Sequence, residues 1–240
     1  MQRLGITFLQ IAVCVAEFKI VAYLFGAIVP SKFATIPIKS RVTSTYHAFM
    51  GLVVATLVWA QVLKVNENSL LPPFLIYTSA FAVYDSLNIY NNIEHFDRVF
   101  DILLHHGILI GSLCFKLTTD IYFRLYLAEL STLTLNVCWF IMHCRSRKLF
   151  TKEPAYVNKL FKICSAATLI FFFLFRVVNL THLAITEWNS DLSPILFESP
   201  HKNLLFQATI LVFGGLNYYW FIILSKKAYT EHFKSAKKQE

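Results

Sequence analysis

The hydrophobic positions of this chain form seven long apolar segments separated by short polar stretches. Each segment approaches or exceeds the roughly 20 apolar residues that a helix needs to cross a bilayer. The segments cover residues 5–30, 44–63, 71–90, 98–116, 121–143, 160–184 and 203–225. This pattern predicts an all-α fold, a polytopic bundle of about seven transmembrane helices with no room for a separate soluble domain.

Composition agrees with a membrane bundle and argues against disulfides and metals. Charged residues make up only 15% of the chain, whereas a soluble domain carries about 25%. The five cysteines are odd in number and include no Cys-x-x-Cys pair, which is atypical of a disulfide framework or a zinc site. They are Cys14, Cys114, Cys138, Cys144 and Cys164. A single His-His pair without a second histidine cluster predicts no metal.

The net charge of +8 is concentrated in alternate loops. Basic residues occur at 32–41, at 145–162 and at 226–238, and the loops between these clusters are neutral or acidic. Because basic loops stay in the cytosol, a seven-span chain with its N-terminus outside places all three clusters on the cytosolic side. We therefore expect a cytosolic C-terminus, a retained first span and no nucleic-acid partner.

The positions of the basic residues also predict three regions of the chain and a localisation signal. Residues 1–40 form the first helix and a cytosolic loop, 41–225 the main membrane domain, and 226–240 a basic cytosolic tail. Lys237 and Lys238 stand fourth and third from the end. They resemble the dilysine retrieval signal of endoplasmic reticulum membrane proteins, which the coat machinery reads on a cytosolic tail. The alternative is a solvated basic tail.

Two adjacent histidines, His105 and His106, lie inside the apolar segment 98–116. Titratable residues at this depth are costly and usually face the interior of a bundle or a water-filled cavity. Asp101 lies one turn before His105 on the same helix face, where it can orient the ring as a base or nucleophile. His106 points about 100° away and can bond a neighbouring helix. Alternatively, these residues only form interhelical hydrogen bonds, worth about 0.6 kcal/mol each.

Other polar residues inside the spans lie mainly in the predicted cytosolic half. We expect them to line a cavity that opens to the cytosol and binds the substrate. They are His47, Asp85, Glu129, Asn136, Arg176 and Asn217. Arg176 can instead form a structural ion pair with Glu129. Asn217 can instead form only a hydrogen bond between helices.

Five motifs occur in an order that resembles the TLC domain, the family of the ceramide synthases and related lipid-linked membrane proteins. They are Arg41-x-x-Ser44-x-x-His47-Ala48, Phe81-x-x-Tyr84-Asp85, Asp101-x-x-x-His105-His106, Ala128-Glu129-Leu130-Ser131-Thr132 followed by Asn136 and Trp139, and Asn217-x-x-Trp220-Phe221. Together they span about residues 41–225. The stretch Leu127–Ser131 stands where ceramide synthases carry a His-Asp motif, so the resemblance is to the branch of small TLC-domain transmembrane proteins outside the ceramide synthases.

The resemblance implies a bundle around a lipid-accommodating cavity in the endoplasmic reticulum membrane. It also implies acyl transfer from acyl-CoA at the histidine pair, with His105, His106 and Asp101 as catalytic residues, an unknown acceptor and no bound cofactor. The function expected is lipid metabolism or homeostasis, with membrane lipids and acyl-CoA as partners. The alternative is a non-catalytic lipid-binding, lipid-sensing or cargo-receptor protein. A transporter is less favoured because no inverted repeat is visible.

Overall fold

The computed structural model describes residues 2–60, 73–111, 119–149, 154–188 and 202–236, and all regular structure within these ranges is helical. A short 3₁₀ turn covers Ile93–His95 and a π-helical segment covers Phe172–Val178. The α-helices are α1 (Gln2–Ile28), α2 (Ile36–Trp59), α3 (Pro73–Asn91), α4 (Val99–Gly111), α5 (Thr119–Leu127), α6 (Glu129–Ser146), α7 (Ala155–Phe171), α8 (Asn179–Trp188) and α9 (Lys202–Ala236). The predicted all-α bundle is confirmed.

Five helical stretches within the described ranges are long and apolar enough to cross a membrane. They are Thr7–Ile28, Ile36–Trp59, Phe123–Ser146, Ala155–Thr186 and Gln207–Thr230. Helix α4 is apolar but has only 13 residues within the described part of its predicted span. A multi-pass membrane protein is therefore supported, while the count of seven spans stays a prediction.

Helix α2 begins at Ile36, eight residues before the apolar segment 44–63 begins. Thr35 has extended backbone and Pro37 lies in the first turn, where the fixed φ of proline favours helix initiation. The added turns carry polar side chains that the fold buries, including Ser40 and Thr43. The hydropathy pattern did not predict this start, because hydropathy indicates which residues lie in lipid and not where the helical backbone begins.

Two irregularities interrupt the later spans. The predicted span 121–143 has a one-residue irregularity between α5 and α6, which we call the break at Ala128, although Ala128 keeps helical φ and ψ of −60° and −25°. The following span, 160–184, contains the π-helical segment. Such segments are rare in proteins, and those that occur are often at functional sites. A backbone carbonyl at membrane depth that lies at an irregular helical turn requires a protein partner. Arg176 of the π segment donates a hydrogen bond to the Ala128 carbonyl.

Helix α2 packs against α1, α3, α5 and α6, and the remaining helices complete the bundle around it. Phe18 of α1 is fully buried between aromatic rings of α2 and α3, including Tyr46, Phe81 and Tyr84. The outward surfaces of the helices are rich in exposed large apolar side chains. In a soluble protein such surfaces would be association-prone, and in a bilayer they face lipid.

Candidate functional site

A cavity of about 290 Å³ lies between α2, α3, α4, α6, the π segment and α9. It is close to the lower limit, about 300 Å³, of small-molecule sites in proteins. The cavity lies towards the end of the bundle that we call the basic end. At this end α1 leads into Lys32, α2 carries Lys39, α6 carries Arg145 and α9 carries Lys226. Its polar lining consists of Ser40, Arg41, Ser44, His47, Asp85, Arg98, His105, His106, Glu129, Thr132 and Arg176.

His106 is buried and bound from both sides by α3. Its Nδ1 lies 3.0 Å from Ser86 Oγ and its Nε2 lies 3.7 Å from Asp85 Oδ2. Ser40 of α2 donates a hydrogen bond of 3.0 Å to the other oxygen of Asp85. His106 therefore joins three helices, as the sequence predicted for a bond to a neighbouring helix.

His105 has a different environment. Its Nδ1 is buried and has no hydrogen-bond partner among the described residues. The ring stacks on Phe213 at 5.3 Å between centroids and meets the edge of Trp220 at 5.3 Å. A buried polar atom without a partner is costly, so this nitrogen is a candidate for contact with a ligand.

The predicted contact between Asp101 and His105 does not form. No hydrogen bond or ion pair joins the two in the described part of the chain, and Asp101 does not line the cavity. Asp101 lies in the first turn of α4, where the helix dipole stabilises a carboxylate. The carboxylate beside the histidine pair is Asp85 of the neighbouring helix, through His106.

Arg176 connects the π segment to the break at Ala128. Its Nε donates to the Ala128 carbonyl at 3.1 Å and to Ser131 Oγ at 2.8 Å. Its other two nitrogens donate to Thr132 Oγ1 at 2.8 Å and to Asn217 Oδ1 at 3.4 Å. NH2 also lies 3.7 Å from Glu129 Oε1, so the predicted pairing of Arg176 and Glu129 is observed.

His47 lies between the main cavity and a smaller pocket of about 60 Å³. Its ring stacks on Phe81 at 4.3 Å and its Nε2 lies 3.3 Å from Thr78 Oγ1. His47, His105, Glu129 and Arg176 line both spaces. The smaller pocket otherwise has a mostly apolar wall, and it extends the site away from the basic end.

Two residues predicted for the cavity lie behind its wall. Asn136 is buried and donates to Thr45 Oγ1 at 2.9 Å and to Ser44 Oγ at 3.3 Å. Asn217 is fully buried and donates to the Phe213 carbonyl at 2.7 Å. Neither residue lines the cavity: Asn136 joins α6 to α2, and Asn217 accepts a hydrogen bond from Arg176 at 3.4 Å.

The sequence did not assign Arg41, Ser44, Arg98 or Ser40 to the site, although all four line the cavity. From the sequence, Arg41 was used only as one of the basic residues that indicate the cytosolic side of the membrane. Arg41 is three residues from Ser44, and Ser44 is three residues from His47, so each of these pairs consists of neighbours on the helix surface, a signal that was available. Arg98 had no such signal, because a loop residue carries no periodicity.

The dilysine residues Lys237 and Lys238 lie outside the described residues, so their prediction stays open. Within the described ranges, no group of three or more His, Cys, Asp or Glu side chains is placed to hold a metal ion. The four described cysteines are free.

No curated protein and no solved structure matches this chain. A protein-family model described as the TLC domain matches residues 37–226. That range contains the cavity, the histidine pair and the ordered motifs from Arg41 to Phe221. The chain therefore belongs to the TLC-domain family.

Proposed function

We propose that this protein is a lipid acyltransferase in which His105 is the catalytic base and an acyl-CoA is the donor. The observation that carries the proposal is the buried, unpartnered Nδ1 of His105 at the wall of the cavity. The neighbouring His106 is engaged by Ser86 and Asp85. The two histidines therefore have separate roles, with His106 fixing the helix and His105 facing the reacting groups.

The step requires one base and one thioester. His105 accepts the proton from the hydroxyl or amine of the acceptor lipid as its oxygen or nitrogen bonds to the thioester carbonyl carbon. The carbon–sulfur bond then breaks, and the CoA thiolate leaves and takes the proton back from the imidazolium. The apolar walls hold the acyl chain and exclude water, which limits hydrolysis. The combined positive field of the basic loops, rather than a contact with any one of their residues, attracts the anionic CoA.

A second candidate is a non-catalytic lipid-binding protein, as a sensor or cargo receptor. The observation that favours it is the absence of an orienting partner for His105 within the described ranges, where its ring is fixed by Phe213 and Trp220 instead. In this case the polar residues shape the cavity and His105 only receives the lipid headgroup.

The discriminating experiment is acyl transfer by the purified protein with labelled acyl-CoA and total membrane lipid as acceptor. We expect His105→Ala and the bulkier His105→Gln to abolish transfer while folding and expression are unchanged. His95→Ala is the matched control, because His95 lies in the exposed 3₁₀ turn outside the cavity. Transfer that persists in both His105 variants, or is absent from the wild type, refutes the enzyme and favours the lipid-binding protein.

The proposed location is the endoplasmic reticulum membrane with the C-terminus in the cytosol. Its support is the Lys237-Lys238 sequence together with the clustering of basic residues at one end of the bundle. We expect Lys237→Ser with Lys238→Ser to redistribute a fluorescent fusion to later compartments. An unchanged distribution would contradict the role of the dilysine pair.

A further inference from the structure

Arg98 occupies a costly backbone conformation at the mouth of the cavity. It has a φ of 58°, and a non-glycine residue in the left-handed region costs on the order of 1–3 kcal/mol. The guanidinium lies 5.9 Å from the centre of the Tyr219 ring and lines the cavity. Although Glu94 and Asp97 lie in the same segment, neither forms an ion pair with Arg98 in the described part of the chain.

Arg41, on α2, lines the same cavity. Its guanidinium lies 5.2 Å from the centre of the Trp139 ring, and NH1 donates to Asn136 Oδ1 at 3.3 Å. No carboxylate lies within ion-pair distance of Arg41 among the described residues. A contact with an aromatic ring does not neutralise the guanidinium, and NH1 to Asn136 is the one hydrogen bond that the Arg41 side chain donates among the described residues, so its other N–H donors remain available to an oxyanion.

The charges lining the cavity do not cancel. Glu129 is paired with Arg176, so Arg41 and Arg98 face one remaining carboxylate, Asp85. That carboxylate already accepts a hydrogen bond from Ser40 and contacts His106. The cavity therefore keeps an excess of one positive charge.

The lining near the two arginines also holds a spare donor. Ser44 Oγ accepts a hydrogen bond from Asn136 Nδ2 at 3.3 Å. Its own hydroxyl hydrogen has no acceptor within the described ranges. Two guanidinium forks and a hydroxyl suit a tetrahedral group with several oxygens better than a single carboxylate.

We propose that Arg41, Arg98 and Ser44 bind the phosphate of an amphiphilic substrate at the mouth of the cavity. The lining of the same cavity also includes the apolar side chains of Ile102, Leu109 and Leu135, which suits an acyl chain attached to the phosphate-bearing part. The inference deepens the proposed function and rests on it, since it identifies phosphate as the chemistry that positions the substrate. The phosphate belongs either to CoA or to a lipid headgroup.

The test is equilibrium binding to the full chain in nanodiscs of uncharged lipid, without an acyl acceptor. The probes are CoA, lysophosphatidic acid and, as a phosphate-free control, a monoacylglycerol with the same acyl chain. We expect Arg98→Gln to weaken at least one phosphate probe about tenfold, as the loss of one charge-assisted hydrogen bond requires. Binding of the monoacylglycerol is expected to stay unchanged.

Arg145→Gln is the matched control, because Arg145 also lies over an aromatic ring, 4.7 Å from the centre of Phe161, but does not line the cavity. It is expected to bind both phosphate probes as the wild type does. Arg98→Lys, which keeps the charge and loses the fork, is expected to be intermediate. If Arg98→Gln weakens the binding of CoA alone, the phosphate belongs to the acyl-CoA. If it weakens the binding of lysophosphatidic acid alone, the phosphate belongs to a lipid headgroup.

The proposal is overturned if Arg98→Gln binds both phosphate probes as tightly as the wild type, or if Arg145→Gln weakens them equally. Arg41→Gln is the second variant, which keeps the test decisive if one substitution impairs folding. His105→Ala separates this inference from the proposed function. We expect His105→Ala to lose acyl transfer and to keep phosphate binding. If His105→Ala retains acyl transfer, His105 is not the catalytic base, and the phosphate site is unaffected by that result.

Discussion

Replacing Arg176 by methionine measures how much the hydrogen bonds between the π segment and the break at Ala128 stabilise the fold. Methionine keeps much of the length of the side chain and removes its charge and every donor. The substitution removes four hydrogen bonds, which go to Ala128, Ser131, Thr132 and Asn217. It also leaves Glu129, whose side chain is 19% exposed, without its cation.

The expected loss of stability can be worked from these contacts. Hydrogen bonds within membrane bundles contribute about 0.6 kcal/mol on average, so the four bonds account for about 2 kcal/mol. Leaving one member of a buried ion pair adds to this, and breaking such pairs costs about 3–5 kcal/mol in soluble proteins. Partial exposure of Glu129 reduces that contribution. We expect a total of about 3 kcal/mol.

The assay is thermal unfolding of the purified protein in detergent, followed by labelling of the buried thiols of Cys138 and Cys144. For a chain of this size a loss of about 3 kcal/mol lowers the midpoint by about 6–12 °C. Thr132→Val is the control, since it removes one of the four bonds and is expected to lower the midpoint by about 1–2 °C.

Adding Glu129→Gln to Arg176→Met removes the unpaired carboxylate and is expected to restore part of the loss. A midpoint for Arg176→Met within 2 °C of that of Thr132→Val would refute this reasoning. A double variant less stable than Arg176→Met would show that Glu129 has another partner in the bundle.

Two smaller predictions concern backbone positions. Gly51→Ala is expected to destabilise by about 1–3 kcal/mol, because a Cβ there overlaps the buried ring of Tyr126, whereas Gly107→Ala meets nothing within 4 Å and should not destabilise. Equal unfolding midpoints for the two variants would contradict this packing. Lys148 has a φ of 51° in the turn that ends α6, with Leu149 N–H donating to the Cys144 carbonyl at 2.9 Å. Lys148→Gly should therefore raise the free energy of unfolding by about 1 kcal/mol, and a lower midpoint would show that the lysine side chain contributes more than the strain costs.

The multi-pass helical architecture and the end of the bundle at which the polar residues gather were predictable because both depend on the bilayer. Apolar length reports which segments lie in hydrocarbon, and the basic loops report which helix ends share a side. His47, Asp85 and the histidine pair were therefore placed in one half of the bundle before any contact was known. The pairing of Arg176 with Glu129 was also anticipated, because few opposite charges occur inside the spans.

Contacts between helices were less predictable. Spacing along α4 placed Asp101 beside His105, but it contains no information about how α3 is rotated and shifted against α4. That packing brings Asp85 and Ser86 to His106 and leaves His105 Nδ1 without a partner. Spacing along one helix fixes which residues share a face, and the neighbour of that face depends on the packing of the whole bundle.

The sequence by itself determined a multi-pass helical protein of the TLC-domain family, because hydropathy and motif order are properties of the chain. Only the tertiary structure decided that Arg176 bridges the break at Ala128, that Asn217 lies behind the wall, and that Arg41 and Arg98 meet one cavity. These are relations between residues 40 or more positions apart. Their distances are set by helix rotation, by the π-helical turn and by the break in α5–α6, and no local pattern records them.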